Sequence, residues 1–370
     1  IHGGAVAVPE RPLQLDVGAS VADTDIEAVK QFWLLNKIPN TARWLNRSLR
    51  GGRVVEGRAW IRGPANGFPF RSNEGRLDVV ASVADAGLNY HRDWPALNDV
   101  KAELVFENAT MRIDSETVRV ADIVVDGANA EVADLKRPVL TVRGRTRAGG
   151  EQIAGFVSQS PLQRRYGKHI EGMSIEGSPH IAVDLRVPMK RELGEVSVDG
   201  HVTFAGEHFL DQKHGLRFDD LSGVLQFTRR GLGVDGMKVA LAGEPAIMDL
   251  HIGSAVRNET AAVEASLTGQ LSAAALFGGI EALRPLMAAA QGRTDWRVRL
   301  HIPDTEKRST GAGSARTTVA GDDGWVRVES DLRGLSLSLP APLVKSADSV
   351  LPLQLQVGTQ EAAKPIELQL

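Results

Sequence analysis

The side chains most able to do chemistry lie in HVTFAGEHFLDQKH, which brings His201, His208 and His214 close together in the chain. Imidazoles gathered in this way are the usual start of a metal centre. His201 and His208 are 208 − 201 = 7 apart, an odd spacing that points them to opposite faces of one strand. They therefore read as surface histidines. The carboxylate pairs Asp219-Asp220 and Asp322-Asp323 are sequence neighbours that diverge in the same way, and read as turn residues. Arg143, Arg145 and Arg147 share one strand face and could hold phosphate groups, but a solvated outer face is the simpler reading. The chain has no cysteine, so disulfides, thiolate catalysis and Cys-based zinc sites are excluded. No GxSxG, HExxH or P-loop motif occurs. The sequence is expected to encode no enzyme and to need no cofactor or metal.

Composition narrows the partners. A net charge of −3 gives no polyanion footprint, which argues against nucleic acid. Aromatic residues make up 5%, too few for a protein that reads bases or sugars by stacking. The 370 residues contain no run of 18 apolar residues and no basic-then-apolar leader, and they begin at Ile1. The expectation is a piece of a longer protein that neither spans a membrane nor carries its own export signal.

Stepping from side chains to elements, the organising stretch is Trp94 to Arg143. Apolar residues fall at every second position through Ala102, Leu104 and Phe106, through Met111 and Ile113, through Val118 and Val120, and through Leu140 and Val142. Period two with breaks at Glu107-Asn108, Asp114-Ser115, Asp126-Gly127 and Lys136-Arg137-Pro138 predicts a meander of short strands, apolar on one side and charged on the other. The unit recurs. Asp99 and Asp220 are 220 − 99 = 121 apart, and Ala86-Gly87 lies 119 before Ala205-Gly206. In each copy a strand ending in Phe106 or Phe227 is followed by two shorter ones. Repeated β-units point to an open-ended stack rather than a closed globule.

In chain order, residues 1–23 read as strands continuing a preceding repeat. Residues 24–50 form a helical insert, with an N-cap in Asp23-Thr24-Asp25 and apolar Ile26, Val29, Phe32, Trp33 and Leu34 at helical spacing. Its polar face mixes charges, so it reads as a helix pair packed on a sheet instead of a membrane-surface element. Residues 51–148 form the first β-meander, and 149–172 a second insert with Ser160 capping before Pro161. Residues 173–270 are the second meander, including a strand over Ala182 to Val187. Residues 271–292 are a third insert broken by Gly278-Gly279 and Pro285, and 293–370 are C-terminal strands. Glu306 to Arg316 reads as a polar loop.

Many one-sided strands and few helices leave apolar surface to be disposed of. Two sheets could close face to face as a sealed core, or one face could line a groove. A lining without polar atoms suits acyl chains, each buried CH₂ contributing about 0.8 kcal/mol. The candidate lining is Leu104, Phe106, Met111, Ile113, Val118, Val120, Leu225, Phe227, Val239 and Leu241.

Five stretches carry a resemblance: FWLLNKIPNTARWLNRSLRGGRV (Phe32 to Val54), GFPF (Gly67 to Phe70) with GRLDV (Gly75 to Val79), LNYHRDWPALNDVKAELVFENATMRI (Leu88 to Ile113), FVSQSPLQRR (Phe156 to Arg165) and LRGLSLSLPAPLVKSA (Leu332 to Ala347). In order and spacing the chain resembles the central part of YhdP proteins, of the AsmA-like group that includes TamB. The resemblance implies a mainly β fold, an elongated, curled (taco-like) antiparallel β-sheet groove built from repeated meanders with short helical inserts. It implies phospholipid acyl chains as cargo, carried between the inner and outer membranes of a Gram-negative envelope, with a contribution to the outer-membrane barrier. It also implies a periplasmic location, with an inner-membrane anchor outside this sequence. No catalytic residue carries over.

Overall fold

The computed structural model describes residues 2–6, 12–32, 39–67, 70, 74–164, 167, 171–304, 324–340, 344–359 and 367–369. The expected helical positions Trp33 and Leu34, the pair Asp322-Asp323 and the polar stretch Glu306 to Arg316 lie outside the described residues. The chain is mainly β, antiparallel throughout its described pairings, with a few short helices. It divides into two units, residues 1–170 with 180–200, and residues 171–179 with 201–370.

Unit 1 contains β1 (His2–Val6), β2 (Gln14–Asp25), β3 (Leu49–Arg50), β4 (Arg53–Pro64), β5 (Arg76–Leu88), β6 (Leu97–Glu107), β7 (Thr110–Val120), β8 (Ile123–Val132) and β9 (Val139–Arg147). The chain then passes through β10 (Met173–Glu176), part of unit 2, and returns for β11 (His180–Pro188). Pairing runs β1–β2–β4–β5–β6–β7–β8–β9–β11, with β3 also against β5. The strand over 182–187, grouped by sequence order with the second meander, thus pairs with the last strand of the first.

Unit 2 contains β12 (Ser197–Asp211) from His201 onward, β13 (Leu216–Thr228), β14 (Gly231–Leu241), β15 (Glu244–Gly253), β16 (Ala261–Leu271), β17 (Ala290–Gly292), β18 (Thr294–Pro303), β19 (Trp325–Ser330), β20 (Leu335–Leu337), β21 (Leu353–Gly358) and β22 (Glu367–Gln369). β10 lies along β12, and β13 through β16 continue into β18, β19, β21 and β22. β17 and β20 form a separate two-stranded ribbon.

Helices occupy the inserts: α1 (Ile26–Val29), α2 (Pro39–Ser48), α3 (Gly150–Ser158), α4 (Ala273–Phe277) and α5 (Arg284–Ala289). Asp25 stands at the N-cap of α1 but its side chain caps nothing; the Ile26 N–H donates to Gly52 O instead. Ser160 Oγ accepts from Leu162 N, as its place before Pro161 suggested. Pro285 does not break a helix. It sits in the first turn of α5, where its missing N–H costs nothing.

Two expected turns are bulges. Asp114-Ser115 and Asp126-Gly127 lie inside β7 and β8, where pairing slips between Lys101 and Ala102 and between Val125 and Ala128. Asp219-Asp220 likewise lies inside β13, with Asp220 at φ 53. Gly206, at φ 109, interrupts β12 so that Phe204 and Phe209, 209 − 204 = 5 apart, both pack on one core. The same shift puts His201 and His208 on one side of the strand, against the expectation from simple alternation. The repeat also tightens. Positive φ recurs at Asp85 and Gly206, at Asp99 and Asp220, and at Ala121 and Ala242, each pair 121 apart. The 119-residue spacing was two residues out of step.

Candidate functional site: the apolar strand faces

Strand register assembles the alternating side chains into rows that run across the strands. In unit 1 one row is Ala19, Ala59, Val79, Phe106, Met111, Val132, Leu140 and Val187. The next is Val21, Gly57, Ala81, Leu104, Ile113, Ala130, Val142 and Leu185. Each crosses eight strands without a charged residue. The opposite face carries the ions. Arg62 pairs with Asp16 at 3.9 Å, Arg112 with Asp114 at 2.8 Å and Arg143 with Asp184 at 3.1 Å, and Arg58 and Arg76 pair with Glu56 and Asp78. These pairs are exposed and contribute little stability. Their effect is to neutralise the outer face while leaving these two rows purely apolar.

The row residues of unit 1 are mostly half-buried. Phe106, Met111, Leu104 and Ile113 keep contact with solvent, whereas Val132 is 1% exposed. Among the described residues, helices cover the strands towards one end. There α1 brings Ile26 and Val29 onto Val54, Ala86, Val83 and Val100. Phe156 of α3 meets Trp94 with ring centroids 5.8 Å apart, and Gln152 Nε2 donates to Asp122 O. Tyr90, in the same end loop, has its hydroxyl pushed up to about 12 by burial.

Unit 2 repeats the pattern: Met237, Met248, Leu267, Val298, Val328 and Leu355 form one row, and Val234, Leu250, Ala265, Leu300, Val326 and Val357 the next. Here a lid is packed on. Leu276, Phe277 and Met287 of the helical insert and Leu335 and Leu337 of β20 join Met237, Val239, Leu271 and Trp296 in a single cluster. Phe277 meets Trp296 edge-on at 5.5 Å, and Trp296 Nε1 donates to Leu271 O at 3.0 Å. Ser272 starts α4 by accepting from Ala275 N at 3.1 Å. The ammonium of Lys345, 7% exposed, donates to the carbonyls of Leu332, Leu335 and Ser346, which ties the ribbon down.

All ten predicted lining residues stand on these faces. Leu104, Phe106, Met111, Ile113 and Val120 of unit 1 and Leu225, Phe227 and Leu241 of unit 2 are half-buried. Val118 and Val239 are buried, at 6% and 3% exposure, and so are packed rather than open. The register also adds Ala19, Ala59, Val79, Ala130, Val142, Leu185 and Val187, which periodicity alone could not assign to the same rows. Leu104 and Leu225, Phe106 and Phe227, Val118 and Val239, and Val120 and Leu241 are each 121 apart, so the two units place equivalent residues equivalently.

The other clusters are charge pairs on the outer faces or in turns. His208 lies 2.8 Å from Asp219, His214 2.7 Å from Asp211, and Asp235 joins His251 and Arg257. Asp249 accepts from Gly236 N and Ser266 Oγ, and these bonds hold its carboxyl below the usual range. Among the described residues no group of His, Asp and Glu is arranged to hold a metal ion. A depression of about 1090 Å³ in unit 2 is lined by Thr268, Arg297, Glu329 and Gln354 and contains none of the predicted lining. No described helix is long and apolar enough to cross a membrane.

No solved structure matches the chain. The intermembrane phospholipid transporter YhdP of Escherichia coli strain K12 is 21% identical over 314 residues, which is 85% of this chain and 23% of that protein. The chain therefore spans about a quarter of the length of that relative. The sequence family described as YhdP protein matches residues 5–370, through both units and all the rows above, and the chain belongs to it.

Proposed function

We propose that this chain is a segment of a bridge-like conduit carrying phospholipid between the inner and outer membranes of a Gram-negative envelope, and so contributing to the outer-membrane barrier. In this reading the chain is a periplasmic portion of an inner-membrane-anchored protein, reaching both membranes through other parts of that protein. The observation that carries it is the pair of uncharged rows crossing eight strands of unit 1 with half-buried side chains. At ~4.8 Å per strand, seven steps span about 34 Å. That exceeds the ~15 Å of one leaflet's acyl layer, so a lipid would move along the row instead of bridging it. The relative's description as an intermembrane phospholipid transporter supports the same cargo.

The rival reading is a structural envelope scaffold with a sealed core. The lid over unit 2 favours it locally; the half-buried middle rows of unit 1 do not. The test is native mass spectrometry of the purified chain with organic extraction, and photo-crosslinking from positions 106 and 225. Near-stoichiometric phospholipid, crosslinked at 106, is the expected result. Phe106→Asp should lower lipid capture at least about fivefold while the chain stays folded, because half-exposed positions tolerate polarity that sealed cores reject. An apo mass with no crosslink, or a Phe106→Asp chain that fails to fold, would establish the scaffold.

A further inference from the structure

The two turns at the end of β8, β9 and β11 away from α3 differ in charge from the strands they join. Lys136 and Arg137 occupy the β8–β9 turn, and Lys190 and Arg191 follow β11. Lys190 Nζ donates to Lys136 O at 3.0 Å and Met189 N to Pro138 O at 2.9 Å, so the two turns form one lip. All four cations are exposed. Asp134, Glu192 and Glu195 are the acidic residues within these turns, and Asp134 is engaged in capping, its Oδ1 accepting from Lys136 N at 2.8 Å. Arg62, Arg112 and Arg143, by contrast, each face a carboxylate. The lip is also apolar: Met189 is 55% exposed and Leu135 37%. Met189 continues the alternation of Val183, Leu185 and Val187, so it extends the inner face outward. From Met189, Val187 and Leu185 lie about 7 and 13 Å inward at ~3.3 Å per residue. Cations outside, apolar surface inside and a short step between them match the order of phosphate, glycerol and acyl chain.

We propose that Lys136, Arg137, Lys190 and Arg191 form a phosphate-binding lip on which a glycerophospholipid headgroup sits while its acyl chains lie on the apolar rows of unit 1. This rests on the conduit reading above and adds to it a headgroup subsite that favours anionic lipids. Guanidinium and ammonium groups together suit a phosphodiester, Arg by its fork and Lys as a point charge.

The test uses the full chain and three probes below their aggregation limits: dihexanoyl-phosphatidylglycerol, dihexanoyl-phosphatidylcholine and dihexanoylglycerol, with binding followed by calorimetry. Wild type should bind them in that order of affinity, and added salt should compress the differences. Removing all four cations (K136A/R137A/K190A/R191A) should weaken phosphatidylglycerol binding at least about tenfold and leave dihexanoylglycerol unchanged. The outer-face variant R145A/R147A/R186A should leave all three unchanged. An unaltered phosphatidylglycerol affinity in the lip variant, or an equal loss in the outer-face variant, overturns the lip while leaving the groove intact. Inorganic phosphate that displaces phosphatidylglycerol fully at equal concentration would make it a free-anion site and also overturn the lip. No binding of any probe to wild type would instead remove the conduit reading itself.

Discussion

Ala121 and Ala242 adopt φ 49 and 51, a left-handed conformation that alanine gains nothing from. Each begins a two-residue hairpin turn, Val120 pairing with Ile123 and Leu241 with Glu244. Left-handed backbone costs an L-residue roughly 1–2 kcal/mol, and glycine avoids that cost at an entropic loss of ~0.5–1 kcal/mol. Ala121→Gly and Ala242→Gly should therefore each stabilise the chain by up to about 1 kcal/mol in urea denaturation, by similar amounts at both sites. A loss of stability at either site would mean that something other than turn geometry holds the alanine there. Asp99 and Asp220, at φ 52 and 53, lie at bulges, a role aspartate tolerates better than most residues. At this scale the candidate site was largely legible. Alternation alone put Leu104, Phe106, Met111 and Ile113 on one face, because side-chain direction in a strand depends only on position. It could not tell that Val118 and Val239 are buried, since that depends on what packs above them.

At the scale of elements, sequence signals marked the right positions but were ambiguous in kind. Asp114-Ser115 and Asp126-Gly127 look like turns because bulges use the same residues as turns, those that accept left-handed or irregular backbone. Reading them as turns splits β7 and β8 into shorter strands than exist. Pro285 was ambiguous in the same way, since proline ends one helix and begins another by the same missing donor. What no local pattern could disclose is the tether on the unit 2 ribbon. Lys345 reads as one more surface lysine, yet its ammonium is buried among three carbonyls contributed by Leu332, Leu335 and Ser346. Lys345→Met keeps the stem and removes all three donors. Leaving those carbonyls without partners should cost about 2–4 kcal/mol. The loss should show as a lowered denaturation midpoint together with faster amide exchange at Leu335 and Leu337, which the tether holds against β17 and the core. Unchanged exchange there would mean that Leu332 and Leu335 anchor the ribbon by packing alone.

Across the whole molecule, the two units carry the same bulge positions and the same facing residues but treat their apolar faces differently. Unit 2 covers part of its face with α4, α5 and the β17–β20 ribbon, whereas the middle rows of unit 1 remain half-buried. Repetition was visible in the sequence because strand and bulge residues recur at a fixed spacing; the lid was not, because a helical insert says nothing of which face it covers. For the conduit reading, the uniformity of the unit 1 rows is the property that matters. A lipid shifted by one strand exchanges one set of Val, Leu, Ile and Ala contacts for another, so its binding energy changes little and no position traps it. Truncating one side chain removes only a few methyl groups from one step, about 0.8 kcal/mol for each buried carbon lost. Half-exposed positions lose less. Ile113→Ala should therefore change the rate of phospholipid transfer between donor and acceptor vesicles by less than about fivefold in the full-length protein. Ile113→Lys places an uncompensated charge on the path, where the desolvation penalty falls on every lipid that passes. It should reduce transfer at least about tenfold with a much smaller effect on folding. If Ala and Lys at position 113 slow transfer equally, the row acts through one specific contact and not as a uniform surface. If neither slows it, lipid does not travel over this face.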